Sequence, residues 1–146
     1  KHRRRQRQMC IRDRLTSTIN LLFDKYVAND FELSDYYADN VVARVNNQEL
    51  NGYENLITGY KAHHELLYND ISIDELYVHT NYFSNGEVWS NAWFTWSGVG
   101  KTTGEEYTNR AHFDYKWENG KIVELLAYYS EYADLKESAA LQATQE

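Results

Sequence analysis

Two polar side chains fall where apolar ones are expected, and both could do chemistry. In "NGYENLITGYKAHHELLYND" the residues Leu56, Tyr60, His63 and Leu67 follow i, i+4, i+7 and i+11, which is one face of a helix. His63 therefore sits in the middle of an apolar stripe, where a neutral imidazole can act as a general base or hydrogen-bond a ligand. It can equally be satisfied by a nearby tyrosine or backbone carbonyl, the commoner fate of a buried polar group. In "YTNRAHFDYKW" alternate positions place Asn109 among Tyr107, Ala111, Phe113, Tyr115 and Trp117 on the inner face of a strand. An unpaired amide there would cost about 1–3 kcal/mol, so Asn109 needs a partner, whether Tyr129, His63, water or a ligand.

Other constellations are weaker. His63 and His64 are adjacent and diverge by ~100° on a helix, with no third ligand at useful spacing, so no metal site is expected. Arg110, His112 and Asp114 line up on the polar face of their strand, which reads as a solvated or dimer-forming surface. "GVGKTTG" lacks the spacing of a phosphate loop and reads as a hairpin turn. No cofactor motif is present, and none is expected.

Amphipathic and alternating patterns supply the elements that must position these groups. Leu15, Ile19, Leu22, Phe23 and Tyr26 form the stripe of a first helix, "DFELSDYYAD" reads as a second, and "NVVARV" as a short strand. After the helix that carries His63, four long strands follow: "ISIDELYVHT", "EVWSNAWFTWSG", "EEYTNRAHFDYKW" and "KIVELLAYYSE". Their short turn-rich connections make them antiparallel neighbours. The expected fold class is α+β: a curved antiparallel sheet with three N-terminal helices covering one face. Residues 15–135 form the single domain, and residues 136–146 are expected to fray.

The basic start, "KHRRRQRQMCIRDR", contrasts with the rest of the chain. Residues 4–14, "RRQRQMCIRDR", resemble the translation of a transposase adapter used to build short-read sequencing libraries, so residues 1–14 are expected to be a disordered, non-native scar. Removing their seven Lys and Arg and one Asp from the chain's 15 and 22 leaves 8 basic against 21 acidic residues, a net formal charge of −13. Such a surface repels nucleic acid and anionic lipid, so neither is an expected partner. No cysteine remains after residue 14, which excludes disulfides and a thiol nucleophile from that part. No apolar run reaches the ~18 residues of a membrane span. The native start is expected upstream of Leu15, which leaves localisation unreadable.

The order of elements, with "YYADNVV", "NGYENLITGYKAHHELLYNDI" and "ENGKIVEL" as its most specific pieces, resembles the nuclear transport factor two-like superfamily, in particular its SnoaL-like members. The resemblance covers Leu15 to about Leu135. It implies a cone whose concave face and helices enclose an apolar pocket, and a convex face that often forms dimers. It also implies Val88, Ser90, Ala92, Phe94 and Trp96 inside and Trp89, Asn91 and Trp93 outside, with Val123, Leu125, Ala127 and Tyr129 turned inward on the last strand.

Within that superfamily the ketosteroid isomerase chemistry is not expected. Its carboxylate base falls near Val45, its protonated Asp near Phe113 and its Tyr near Leu22, and none matches. The implied function is binding of a small, largely apolar or aromatic molecule in a pocket lined by Tyr60, His63, Ser90, Trp96, Asn109, Phe113 and Tyr129, with His63 the best catalytic candidate. The alternative is a non-catalytic dimerisation or interaction module, paired through Trp89 and Trp93, whose cone is filled by its own side chains.

Overall fold

A computed structural model describes the backbone of residues 2–146 and the side chains from Arg14 onward. Helix α1 (His2–Val27) buries Leu15, Ile19, Leu22 and Phe23 on one face, as its stripe requires. The stretch 1–14, expected to be a disordered scar, has helical backbone from His2 onward as the start of α1, while the side chains of residues 1–13 lie outside the described residues. The chain leaves α1 through Asn29, whose φ of 58° is a left-handed conformation that asparagine tolerates.

Residues 28–36 form turns rather than the second helix that "DFELSDYYAD" suggests. Long-range hydrogen bonds compete successfully for this backbone. The Tyr53 hydroxyl donates to the Phe31 carbonyl at 3.1 Å and accepts the Leu33 N–H at 2.9 Å. The Asp30 carboxylate accepts the Glu32 N–H, a local turn that opposes helix, and also pairs with Lys25 at 2.9 Å.

Strand β1 (Tyr37–Val45) and a short β2 (Gln48–Asn51), absent from the sequence reading, form a hairpin through Asn46 at φ 52°. Helix α2 (Tyr53–Ala62) continues into one π-helical turn (His63–Leu67). Four long strands follow: β3 (Tyr68–Tyr82), β4 (Val88–Gly100), β5 (Glu106–Glu118) and β6 (Lys121–Tyr128). The sheet order is β2-β1-β6-β5-β4-β3, antiparallel throughout except for the parallel β1–β6 pair. This is an α+β fold with a curved open sheet, but of its three helices only two precede the long strands.

Breaks in register bend the sheet. In β3, Asp70 and Glu75 adopt φ of 52° and 51° at the two irregularities opposite β4. A third, at Lys116 and Trp117, shifts β5 against β6. Its consequence is that Ile122, not Val123, is fully buried, while Leu125 and Ala127 stay inward. On β4 the alternation places Ser90, Ala92 and Phe94 inside, with Trp93 exposed. Above them Phe23 of α1 meets Phe94 edge-on, with ring centroids 4.6 Å apart.

The tail expected to fray is mostly helix α3 (Tyr132–Ala143). What its weak apolar stripe conceals is a polar anchor. Glu137 is 1% exposed and accepts from the backbone N–H groups of Thr102 and Thr103, the Thr103 hydroxyl and the Tyr107 hydroxyl, the last at 2.7 Å. A Cβ at Gly100 would overlap this carboxylate, so glycine is required beneath it. Burial pushes the Glu137 carboxyl up, but the hydrogen bonds from Thr103, Tyr107 and Thr102 outweigh this and hold it below the usual range. Because its folded-state pKa is depressed, its contribution is complete above the ordinary glutamate value of about 4.3 and is lost as pH falls through the lowered folded value. Glu137→Ala is expected to cost about 1–3 kcal/mol in urea denaturation at neutral pH, a difference that shrinks in acid.

Candidate functional site

A cavity of about 80 Å³ lies between the concave sheet face, α1, α2 and α3. Its walls are mostly aromatic, and its polar groups gather at one end, where four elements meet. Tyr26 comes from the last turn of α1, His63 from the start of the π-helical turn, Trp96 from β4 and Asp134 from the first turn of α3.

Hydrogen bonds link these groups into a chain. Trp96 Nε1–H donates to the Tyr26 hydroxyl at 3.0 Å, and that hydroxyl lies 2.9 Å from His63 Nδ1. Trp96 is a donor only, so Tyr26 accepts there, and among the described residues His63 Nδ1 is the one partner of that hydroxyl able to take its proton; we therefore assign Tyr26 as donor to Nδ1, since the other tautomer would leave the phenol proton without an acceptor. The His63 proton then sits on Nε2, which faces Asp134 Oδ2 across 3.9 Å, too far for a direct hydrogen bond. Asp134 in turn accepts from the Tyr68 hydroxyl on Oδ1 and from the Tyr129 hydroxyl on Oδ2, the latter at 3.2 Å.

The π-helical turn explains how neighbouring histidines serve the same residue. With the turn widened, His63 reaches the Tyr26 hydroxyl while His64 Nε2 lies 2.6 Å from the Tyr26 carbonyl oxygen. Burial lowers the pKa of both. For His63, Asp134 opposes that fall and His64 adds to it. For His64 the bond to Tyr26 opposes it. Burial also raises the Tyr26 phenol beyond its ordinary range, so it remains a neutral donor.

Six of the seven pocket residues expected from sequence line this cavity: Tyr60, His63, Trp96, Asn109, Phe113 and Tyr129. Ser90 does not. It is fully buried farther along β4, where its hydroxyl joins Thr80 at 2.7 Å and accepts from Trp117 Nε1 at 2.8 Å, with Thr16 of α1 completing the chain. Asn109 lines the cavity, but its amide is spent on backbone. Nδ2 donates to the Ser130 carbonyl at 2.8 Å and Oδ1 accepts the Ser130 N–H at 3.3 Å. It fixes the link from β6 to α3 instead of waiting for a ligand.

Two functional groups escaped the sequence reading. Tyr26 was visible as part of a stripe, without its hydroxyl's role. Asp134 lay at the end of the domain, just before the residues 136–146 expected to fray, although Asp134 and Glu137 stand three apart, on one helix face, a spacing that could have flagged a buried acidic edge. Among the described residues no group of three or more His, Cys, Asp or Glu could hold a metal ion. No described helix is long and apolar enough to cross a membrane.

A second cavity of about 140 Å³ lies between α2 and strands β1, β2 and β6. Tyr60, His63, Phe113 and Tyr129 line both cavities and so form the partition between them.

A curved six-stranded sheet closed by helices over an aromatic cavity has counterparts among solved structures. A candidate polyketide cyclase from Xanthomonas campestris pv. campestris superposes with a TM-score of 0.71 at 17% identity, over 84% of this chain and 96% of that one. A candidate SnoaL-like polyketide cyclase from Jannaschia sp. CCS1 gives 0.66 at 13% identity, over 87% and 92%. A nuclear transport factor two-like superfamily protein from Salmonella enterica serovar Typhimurium gives 0.67 at 11% identity, over 83% and 92%. The chain has the nuclear transport factor two-like fold. At these identities the likeness concerns the fold alone. By sequence, no family model matches the chain and no curated protein does.

Within this fold the His63 environment makes a measurable statement. In an NMR titration the His63 imidazole is expected to stay neutral to a pH below the ordinary histidine value of about 6.5. Asp134→Asn is expected to move the midpoint lower still, because the carboxylate is the group that favours the imidazolium. A midpoint that rises on this substitution would contradict the arrangement.

Proposed function

We propose that this protein binds a small, largely apolar or aromatic molecule in the inner cavity of its cone and that His63 is the acid–base group presented to it. The observation that carries this reading is the convergence of Tyr26, His63 and Asp134 at one end of an otherwise aromatic cavity. Tyr26 anchors one nitrogen of the imidazole, and the other is turned towards a carboxylate out of bonding range, which leaves a polar edge on the cavity. The relatives of similar fold that are described as candidate polyketide cyclases agree with an apolar, ring-bearing ligand.

In such a site a neutral His63 donates its Nε2–H to the ligand, with Tyr26 holding the ring at Nδ1; a proton passed on from Nε2 is replaced at Nδ1 by the Tyr26 proton. Asp134 Oδ2 faces the Nε2 proton, while the surrounding aromatic groups exclude water. Tyr60, Trp96, Phe113 and Tyr129 give the ligand its apolar walls. Asn109 keeps α3, and with it Asp134, in place. Native mass spectrometry of protein purified from cells is expected to show a retained small molecule. His63→Phe is expected to keep the fold while losing that adduct or any turnover of it. Retention of an unchanged adduct by His63→Phe would remove His63 from the site.

The convex face supports a proposal of homodimerisation. Register places Tyr77 opposite Trp93, Trp93 opposite His112 and His112 opposite Tyr128, a row across four strands. Tyr77, Trp93 and Tyr128 are 65%, 47% and 51% exposed, and His79 packs beside Trp93. Trp89, also named from sequence, is less available, since Lys116 lies over its ring and Glu87 accepts from its Nε1. Sedimentation is expected to show a dimer that Trp93→Glu converts to a folded monomer. A monomeric wild type at high concentration would exclude the pairing.

A further inference from the structure

The gap between His63 and Asp134 specifies the polar group of the ligand. Its two edges are chemically opposite. His63 Nε2 carries a proton, by the assignment that Trp96 and Tyr26 impose, and Asp134 Oδ2 offers a lone pair beyond the one used by Tyr129. The atoms stand 3.9 Å apart and both residues line the inner cavity. One oxygen placed about 2.8 Å from each spans that distance, provided it accepts on one side and donates on the other. We infer that the site takes a hydroxyl-bearing aromatic molecule, a phenol or a benzylic-type alcohol, whose oxygen bridges His63 Nε2–H and Asp134 Oδ2. This rests on the reading of the cavity as a ligand site and adds the chemical class of the ligand.

Other polar groups fit worse for stated reasons. A carbonyl accepts from His63 but turns its lone pairs on the Asp134 carboxylate. An ether is likewise an acceptor only. A carboxylate or phosphate brings negative charge against Asp134, and none of the described residues lining either cavity is Lys or Arg. An amine cation finds Asp134 but repels the His63 Nε2–H. Among these groups the hydroxyl satisfies both edges.

The body of the ligand follows from the walls. The cavity walls include Phe94, Trp96, Phe113 and Tyr129, which suit a flat ring. The inner cavity of about 80 Å³ is smaller than the ~150 Å³ at which an apolar cavity takes up benzene, but it shares the lining residues Tyr60, His63, Phe113 and Tyr129 with the second cavity of about 140 Å³. Tyr129 follows the last residue of β6, and its hydroxyl donates to Asp134, the acceptor that the ligand would also use.

A ligand series on one frame tests this with the full chain: p-cresol, its methyl ether, p-tolualdehyde and p-toluate, titrated calorimetrically and by ligand-observed NMR. p-Cresol is expected to bind at least about tenfold more tightly than the ether or the aldehyde, as for a hydrogen bond to a charged partner, and p-toluate is expected not to bind. In Asp134→Leu and in His63→Phe the preference of cresol over ether is expected to fall to about twofold or less. Equal binding of cresol and ether by wild type, or tightest binding by p-toluate, overturns the hydroxyl assignment and leaves the cavity reading standing. No binding by any of the four overturns both. The wild-type series decides the matter even if a variant fails to fold.

Discussion

The Tyr26 hydroxyl has to be satisfied away from water, and much of the arrangement around the cavity meets that demand. An unpaired buried hydroxyl costs as much as several good apolar contacts supply. Here it accepts from Trp96 on β4 and donates to His63, while His64 reaches the carbonyl of the same residue. One phenol therefore ties the end of α1 to the sheet and to the end of α2. The π-helical turn makes sense in that light, because two consecutive histidines must face a common neighbour. The site's polarity is in this way a by-product of closing the fold, and the imidazole is oriented before any ligand arrives.

Asp134 reaches the site by a separate route. α3 has few apolar residues to hold it, and its attachment is polar at both ends: Asn109 clasps the backbone at Ser130, and Glu137 inserts into the β4–β5 turn. Glu137 is one turn beyond Asp134, so the anchor and the cavity-lining carboxylate move together. Gly100 leaves the space in which the anchor sits. This explains why a helix with little hydrophobic face can deliver a charged group accurately to an aromatic cavity.

Much of the architecture was legible in the sequence because burial imposes period. The stripe through Leu15, Ile19, Leu22 and Phe23, and the alternation through Tyr107, Ala111, Tyr115 and Trp117, are direct consequences of one-sided burial. Where polar bonds decide the conformation, the pattern was silent or misleading. "DFELSDYYAD" has helical spacing but turns because Tyr53 and Asp30 claim its backbone. Val123 has the right parity but yields to Ile122 at a bulge that leaves no mark in composition. Ser90 has the right face but sits at the wrong height along its strand, under Thr80 and Trp117. His63 could be singled out because a polar residue interrupts an apolar face. Asp134 could not, since an acid in an acidic tail interrupts nothing.

The parallel pairing of β1 with β6 also bears on how the chain reaches this state. Arg44 and Glu124, which meet across that pair, are 80 residues apart in sequence. Every other neighbour in the sheet is joined by a hairpin or a near-local connection, so β3 to β6 can zip together from their turns while this seam must wait for a large loop to close. Until it does, β6 presents an unpaired edge and the cavity lacks one wall. Assembly of the cavity is thus tied to the slowest class of contact in the molecule, and a nascent chain holds a finished sheet only after β6 has emerged.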